Sequence, residues 1–198
     1  MNHRIECQCG KLKGDLDQHA WVNHAVCFCA DCQAFAHFLG RADQLLDAQG
    51  GSSVLQTQPR HLRFSEGVEH LACMRLTDNG MLRWYSSCCQ TPIGNTLATP
   101  KVSFIGLITD CLKLTPVELE QAFGPVRMQV NTGSAKGEPK PPRHGLLAGM
   151  LRVAGLILRA RLNGSYRQTA FFDATTGQPI KAPKVLSPVQ WQRLRQAL

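Results

Sequence analysis

The chain has 198 residues, which fits one domain with appendages or one and a half small domains, and at 43% hydrophobic and 18% charged residues disorder is not the expectation. Its formal net charge of +8 is uneven: residues 1–100 carry 8 Lys and Arg against 9 Asp and Glu, and residues 101–198 carry 14 against 5. The basic half lacks the aromatic-interleaved Lys/Arg clusters of a nucleic-acid module, so a solvated face is the expectation and nucleic acid is not the expected partner.

The first residues, MNHRIECQCG, hold no apolar run of signal-peptide length. The longest apolar region, residues 146–158, is broken by Arg152 and too short to cross a bilayer. A cytoplasmic protein with no transmembrane segment is therefore expected, one in which clustered thiols stay reduced and point to metal rather than disulfides. Residues 4–16 predict a short hairpin turning at Gly10 and Gly14, residues 22–29 an extended run, and residues 31–39 a short helix that Gly40 ends. From residue 50 the runs SSVLQT, HLRF, LACMRL, LRWYS and SFIGLI read as short strands, separated by QPR, SEG, TDNG and TPIGN, with Asn79-Gly80 as a hairpin signal. Residues 115–124 predict a helix with Thr115 as N-cap and Pro116 in the first turn. Residues 133–145 read as a linker or loop.

Residues 146–162 have a helical period, with Arg152 and Arg159 on one narrow polar face, so this helix is expected to be mostly buried or to lie against a partner. A membrane-surface role is the less expected one, because an interfacial helix usually shows a broader charged face. Residues 187–197 predict a short terminal helix.

Seven of the nine cysteines fall in three groups: Cys7 and Cys9 in CQCG, Cys27, Cys29 and Cys32 in CFCADC, and Cys88 and Cys89 in YSSCCQTP. Cys27 and Cys29 share one face of an extended segment, and the step to Cys32 is the turn-forming spacing of zinc sites. Three thiolates can therefore meet on one ion with a coordination position left over. No histidine stands at ligand spacing, and His24 and His37 read as packing or surface residues. Cys7 and Cys9 also share a face, but two thiolates need partners, for which Cys88 and Cys89 are the natural source. Neighbours on a strand face opposite ways, so both reach one ion only if the chain turns there. Cys73 and Cys111 read as small buried hydrophobes.

At these residues the chain resembles the CENP-V/GFA family, named for glutathione-dependent formaldehyde-activating enzyme, whose pattern is CxCG, then CxCxxC, then a late CxxCG after a strand. The counterparts are Cys7, Cys9 and Gly10; Cys27, Cys29 and Cys32; and the stretch around residues 83–91. The resemblance covers residues 3–110 or so. It implies a mainly β, Mss4-like fold of coiled antiparallel sheets, which makes residues 1–112 a zinc-binding β domain; the basic, partly helical extension over residues 113–198 lies outside the family's core. It also implies a structural zinc held by the first and last motifs and a catalytic zinc held by the middle one. The third motif departs from the pattern: aligning Arg83, Tyr85 and Cys89 puts Ser86 where the first late cysteine should stand, Gln90 replaces the glycine, and Cys88 is extra. Either Cys88 substitutes through a local bend, or the site has three thiolates and another ligand, or that site is lost.

Zinc on three thiolates is a weak Lewis acid for making hydroxide and a better host for a substrate thiol, whose pKa it lowers. The expected activity is thus a zinc-dependent, carbon–sulfur lyase-like reaction on a thiol–aldehyde adduct, with a glutathione-type thiol among the candidate substrates, one or two zinc ions, and Cys27, Cys29 and Cys32 around the catalytic ion. The alternative is a non-enzymatic, zinc-stabilised binding module whose basic C-terminal half contacts a protein or anionic partner. A third reading, a thiol redox switch, predicts metal-free protein with a disulfide between Cys29 and Cys32.

Overall fold

A computed structural model describes residues 2–196 of the chain. The predicted hairpin is β1 (His3–Glu6) and β2 (Lys13–Leu16); the extended run is β3 (Asn23–Cys27); the short helix is α1 (Ala30–Phe38), followed by the one-turn α2 (Ala42–Leu45). The β region supplies β4 (Ser52–Thr57), β5 (Leu62–Glu66), β6 (Leu71–Arg75), β7 (Leu82–Ser86), β8 (Pro92–Thr96) and β9 (Ile105–Ile108). Beyond it come α3 (Pro116–Phe123), β10 (Met128–Val130), α4 (Leu146–Leu162), β11 (Lys184–Val185) and α5 (Pro188–Gln196). Residue 197 of the predicted terminal helix, and residues 1 and 198 of the two predicted segments, lie outside the described residues.

The architecture is mainly β, in two sheets with a few C-terminal helices. The small sheet has the order β1-β2-β5, and the large one β10-β3-β4-β9-β8-β7-β6-β11. Neighbours in the large sheet are antiparallel except at its edges, where β10 runs parallel to β3 and β11 parallel to β6. Both edges of the large sheet are thus supplied from beyond residue 112, and each covers a row of backbone groups that would otherwise face water.

Alternation along the strands explains why the large sheet is buried on both faces. Leu55, Leu71, Cys73, Leu82, Trp84, Ile105 and Leu107 point to the small sheet, where they meet Ile5, Leu12, Leu16 and Leu62. Val54, Met74, Tyr85 and Ile108 point the other way, to Phe35 and Leu39 of α1, with Trp191 and Leu194 of α5 packed alongside. Trp84 is wholly buried, and its indole N–H donates to Thr96 Oγ1 at 2.9 Å, so the aromatic body and its polar tip are both accommodated.

Three strands, β8, β10 and β11, fall where the sequence carries no strand signal. The separator TPIGN is rich in Pro, Gly and Asn, poor strand formers, yet four of its residues belong to β8, a central strand with all five residues buried. Ladders on both sides override the propensity, and Pro92 stands at the first position, where its missing N–H does least harm. The strands β10 and β11, of three and two residues, are too short for a period to register.

The helix α3 forms as expected: Thr115 accepts from the Glu118 N–H, and the Glu118 carboxylate accepts from the Thr115 N–H at 2.8 Å, a reciprocal capping box. The stretch 133–145 is a loop, tied back where the Lys136 N–H donates to the Gln49 carbonyl at 2.8 Å. Of the two expectations for α4, burial within the chain is not met, since only Gly149 and Ala160 are buried along its length. No helix among the described residues is long and apolar enough to cross a membrane.

Candidate metal centres

The chain builds two thiol clusters, and together they contain all seven of the expected ligands. The first joins Cys7 and Cys9, in the turn after β1, to Cys88 and Cys89, in the turn between β7 and β8. Its sulfur separations are 3.6 Å for Cys7–Cys9, 3.8 Å for Cys7–Cys88, 3.3 Å for Cys9–Cys88 and 3.9 Å for Cys88–Cys89. These are far beyond a disulfide bond, and every cysteine is free. Four sulfurs at zinc–thiolate distance around a tetrahedral ion would lie about 3.8 Å apart. Soft sulfur donors at this spacing fit a metal ion of the zinc type.

The turn after β7 decides how two adjacent cysteines reach one place. The Gln90 N–H closes back on the Ser86 carbonyl at 2.9 Å, and Gln90 takes a left-handed φ of 58°. This bend brings Cys88 into the cluster together with Cys89. Ser86 is not in the sulfur group; its hydroxyl lies 3.3 Å from Cys89 Sγ and accepts from the Thr91 N–H at 3.0 Å. Burial opposes ionisation of Cys89, but hydrogen bonds from Ser86 and Thr91 outweigh it and bring that thiol down to about 5. The Leu12 N–H donates to Cys7 Sγ at 3.2 Å and fixes the sulfur's place in the turn. Because a left-handed backbone suits glycine, Gln90→Gly is expected to stabilise the fold by roughly 0.5–1 kcal/mol after the entropy of the freer unfolded chain is counted, measurable as a higher urea midpoint.

The second cluster is local. Cys27 ends β3, Cys29 is the N-cap of α1, and Cys32 lies in its first turn, with all three sulfurs within 4.8 Å of one another. Cys29 Sγ accepts from the Cys32 N–H at 3.3 Å, and Cys27 Sγ accepts from Asn131 Nδ2 at 3.6 Å. Hydrogen bonds from Cys29 and Cys32 hold Cys27 well below the usual thiol range, while hydrogen bonds with Cys27 and Cys32, and then burial, drive Cys29 above it. Cys32 is pushed up to about 11, first by Cys27 and then by burial, with the Arg83 guanidinium pulling the other way. Three thiols so close cannot all ionise without a cation to receive them. His24 is engaged elsewhere, by the Gly124 carbonyl and Ser53 Oγ, both at 3.1 Å, and neither His24 nor His37 belongs to a cluster.

Beside the three thiols lies a cavity of about 280 Å³. Part of its floor is one row across the large sheet: Gln56 on β4 pairs with Gly106 on β9, which pairs with Asn95 on β8, which pairs with Arg83 on β7. Directly paired residues share a face, so these residues line up along one side of the sheet. Gly106 opens the hollow: a Cβ added there would meet nothing within 4 Å, and its backbone is not left-handed.

Arg83 is only 2% exposed, yet is held on several sides. It donates to Asn95 Oδ1 at 3.2 Å and to Asp31 Oδ2 at 3.4 Å, and its guanidinium lies over the Phe35 ring, 5.4 Å from the centroid. A buried cation beside a cluster of thiols supplies positive charge where thiolates would gather negative charge. Val54, Met81, Phe104 and Val130 give the cavity apolar walls. Sequence reasoning used Arg83 only as an alignment marker and missed Gln56, Asn95 and Gly106. Register alone brings these four together, and β8 had not been identified as a strand.

A family model described as a family of unknown function, DUF6151, matches residues 3–178. No curated protein matches the chain. Among solved structures, the crystal structure of a Rhodobacter sphaeroides protein, a structural-genomics target, is similar at 16% identity with a TM-score of 0.42, over 59% of this chain and 94% of that one.

Proposed function

We propose that this chain, which belongs to the DUF6151 family over residues 3–178, is a zinc protein with one closed structural site and one open site that makes or breaks a carbon–sulfur bond in a thiol–aldehyde adduct. The reading rests on the difference between the two clusters: four thiols closed on one another in the first, and three thiols at the edge of a cavity in the second. Structural zinc is closed by four protein ligands, whereas a catalytic ion keeps a position for a guest. We also read the sheets as Mss4-like and the cysteine pattern as CENP-V/GFA-like, with Cys88 standing in for the residue displaced by Ser86. The pairing of the first and last motifs in one cluster, apart from the middle motif, supports this.

Cys27, Cys29 and Cys32 would hold the ion of the open site. When bound, zinc on three thiolates lowers the pKa of a guest thiol and keeps it as thiolate at neutral pH. In the forming direction the guest sulfur bonds to the aldehyde carbon, the carbonyl π pair moves to oxygen, and that oxygen takes up a proton; the lyase direction reverses each change. Arg83 and Asn95 supply N–H donors toward an oxygen that gains charge in this step. Asp31, the one carboxylate among the lining residues, is the candidate to exchange the proton. The apolar walls limit water and strengthen these polar contacts.

The rival reading, a non-enzymatic module, draws on the exposed face of α4 but leaves the polar row beneath the three-thiol cavity without a role. Gly106→Leu discriminates between them, because Gly106 lines the cavity, has room for a Cβ and is not itself one of the thiol ligands. The expected result is two zinc ions retained by native mass spectrometry, stability changed by less than about 1 kcal/mol, and turnover of formaldehyde–thiol adducts reduced about 100-fold by NMR. Wild-type protein that turns over no such adduct, or a variant as active as wild type, would sink the proposal.

A further inference from the structure

The outward face of α4 is an apolar ridge that the rest of the described chain leaves open. Leu147, Met150, Leu151, Leu158 and Leu162 are 69%, 54%, 65%, 59% and 80% exposed. Leu147, Leu151, Ala154, Leu158 and Leu162 recur at steps of four, three, four and four, which makes one stripe along the helix. The opposite side is held to the body: Gly149 sits against Met128, and the Leu156 carbonyl accepts from Gln58 Nε2 at 3.0 Å. At about 100° per residue, Arg152 and Arg159 fall on one flank of the stripe and Arg161 on the other. From residue 139 to residue 172 the chain carries Lys140, Arg143, Arg152, Arg159, Arg161 and Arg167 and no Asp or Glu.

We propose that this ridge lies flat on an anionic lipid surface, with the leucine stripe at the acyl boundary and the flanking arginines reaching lipid phosphates. Interfacial binding needs apolar area on one side and cationic side chains that can stretch to the headgroups, and α4 presents both. The narrow polar face that counted against this role is explained by packing, since much of the remaining circumference rests on the protein instead of facing water. A second copy of the chain is a poor occupant, because pairing two such ridges would set arginine against arginine with no acid on either. A specific protein partner is also disfavoured, because the stripe holds only Leu and Ala, with no aromatic anchor and no polar side chain to fix a register. A fluid surface needs neither.

The test is cosedimentation of the full-length, metal-loaded protein with vesicles of phosphatidylcholine alone and of phosphatidylcholine mixed with phosphatidylglycerol. Binding is expected to the anionic vesicles and to weaken as salt rises. Replacing both Leu151→Glu and Leu158→Glu should reduce it at least about 10-fold, and Arg152→Gln or Arg159→Gln about fivefold each, with a shallower salt dependence. The replaced side chains are exposed, so metal content and circular dichroism should stay at wild-type values and report that the variants are folded. Equal failure to bind either vesicle, or binding that the two glutamates leave unchanged, overturns the proposal. So does a dimer in sedimentation equilibrium that those glutamates dissociate, because the ridge would then belong to a second copy.

Discussion

Cys88→Ala is expected to remove one of two bound metal ions and to lower stability by at least about 3 kcal/mol. The four-thiol cluster joins segments 79 to 81 residues apart, tying the turn after β1 to the turn after β7 and so the small sheet to the large one. Losing an ion there leaves Cys7, wholly buried, and its neighbours without a shared cation. Ser86→Ala is the matched control. It removes a buried hydroxyl that accepts from the Thr91 N–H and contacts Cys89, so it should keep the ion and cost about 1–2 kcal/mol. Native mass spectrometry and thermal unfolding of the two variants check both numbers. An ion lost with Ser86 and retained without Cys88 would reverse the assignment of the late ligand.

Cys29→Ala should separate chemistry from stability. The other ion is expected to leave, and turnover of thiol–aldehyde adducts to fall at least about 1,000-fold, while stability falls only about 1–2 kcal/mol. The smaller penalty follows from locality: the ligands span residues 27 to 32, so the ion closes a short loop and not a contact between sheets. Part of the loss would be the helix cap, because Cys29 Sγ accepts from the Cys32 N–H at the start of α1. A Cys29 variant that loses an ion yet keeps full turnover would leave the three-thiol site without its proposed role.

The contrast between the clusters also marks what could be read in advance. CFCADC states its own geometry, because strand alternation and one helical turn act over a few residues. CQCG states only that partners must come from elsewhere. The departure at Ser86, Cys88 and Gln90 left three arrangements open, and a turn with Gln90 in the left-handed region selects the one that gathers both late cysteines. The floor of the cavity was still harder to read. Gln56, Gly106, Asn95 and Arg83 lie on four strands, and no local signal connects them.

By itself, the sequence determined the elements whose signals are local: the first hairpin, α1 with its stop at Gly40, the capping box of α3, most strands after residue 50, and the three-thiol group. Each follows from side-chain period, turn chemistry or cap geometry acting within a few residues. The tertiary structure alone decided what depends on pairing across distance. It made a central strand of PIGNT, assembled the four-thiol cluster from opposite ends of the β region, set a buried Arg83 beside the second cluster, and turned the apolar side of α4 outward. The physical reason is the same in each case: register and packing set which residues become neighbours, and residues on different elements carry no mutual signal until the sheet brings them together.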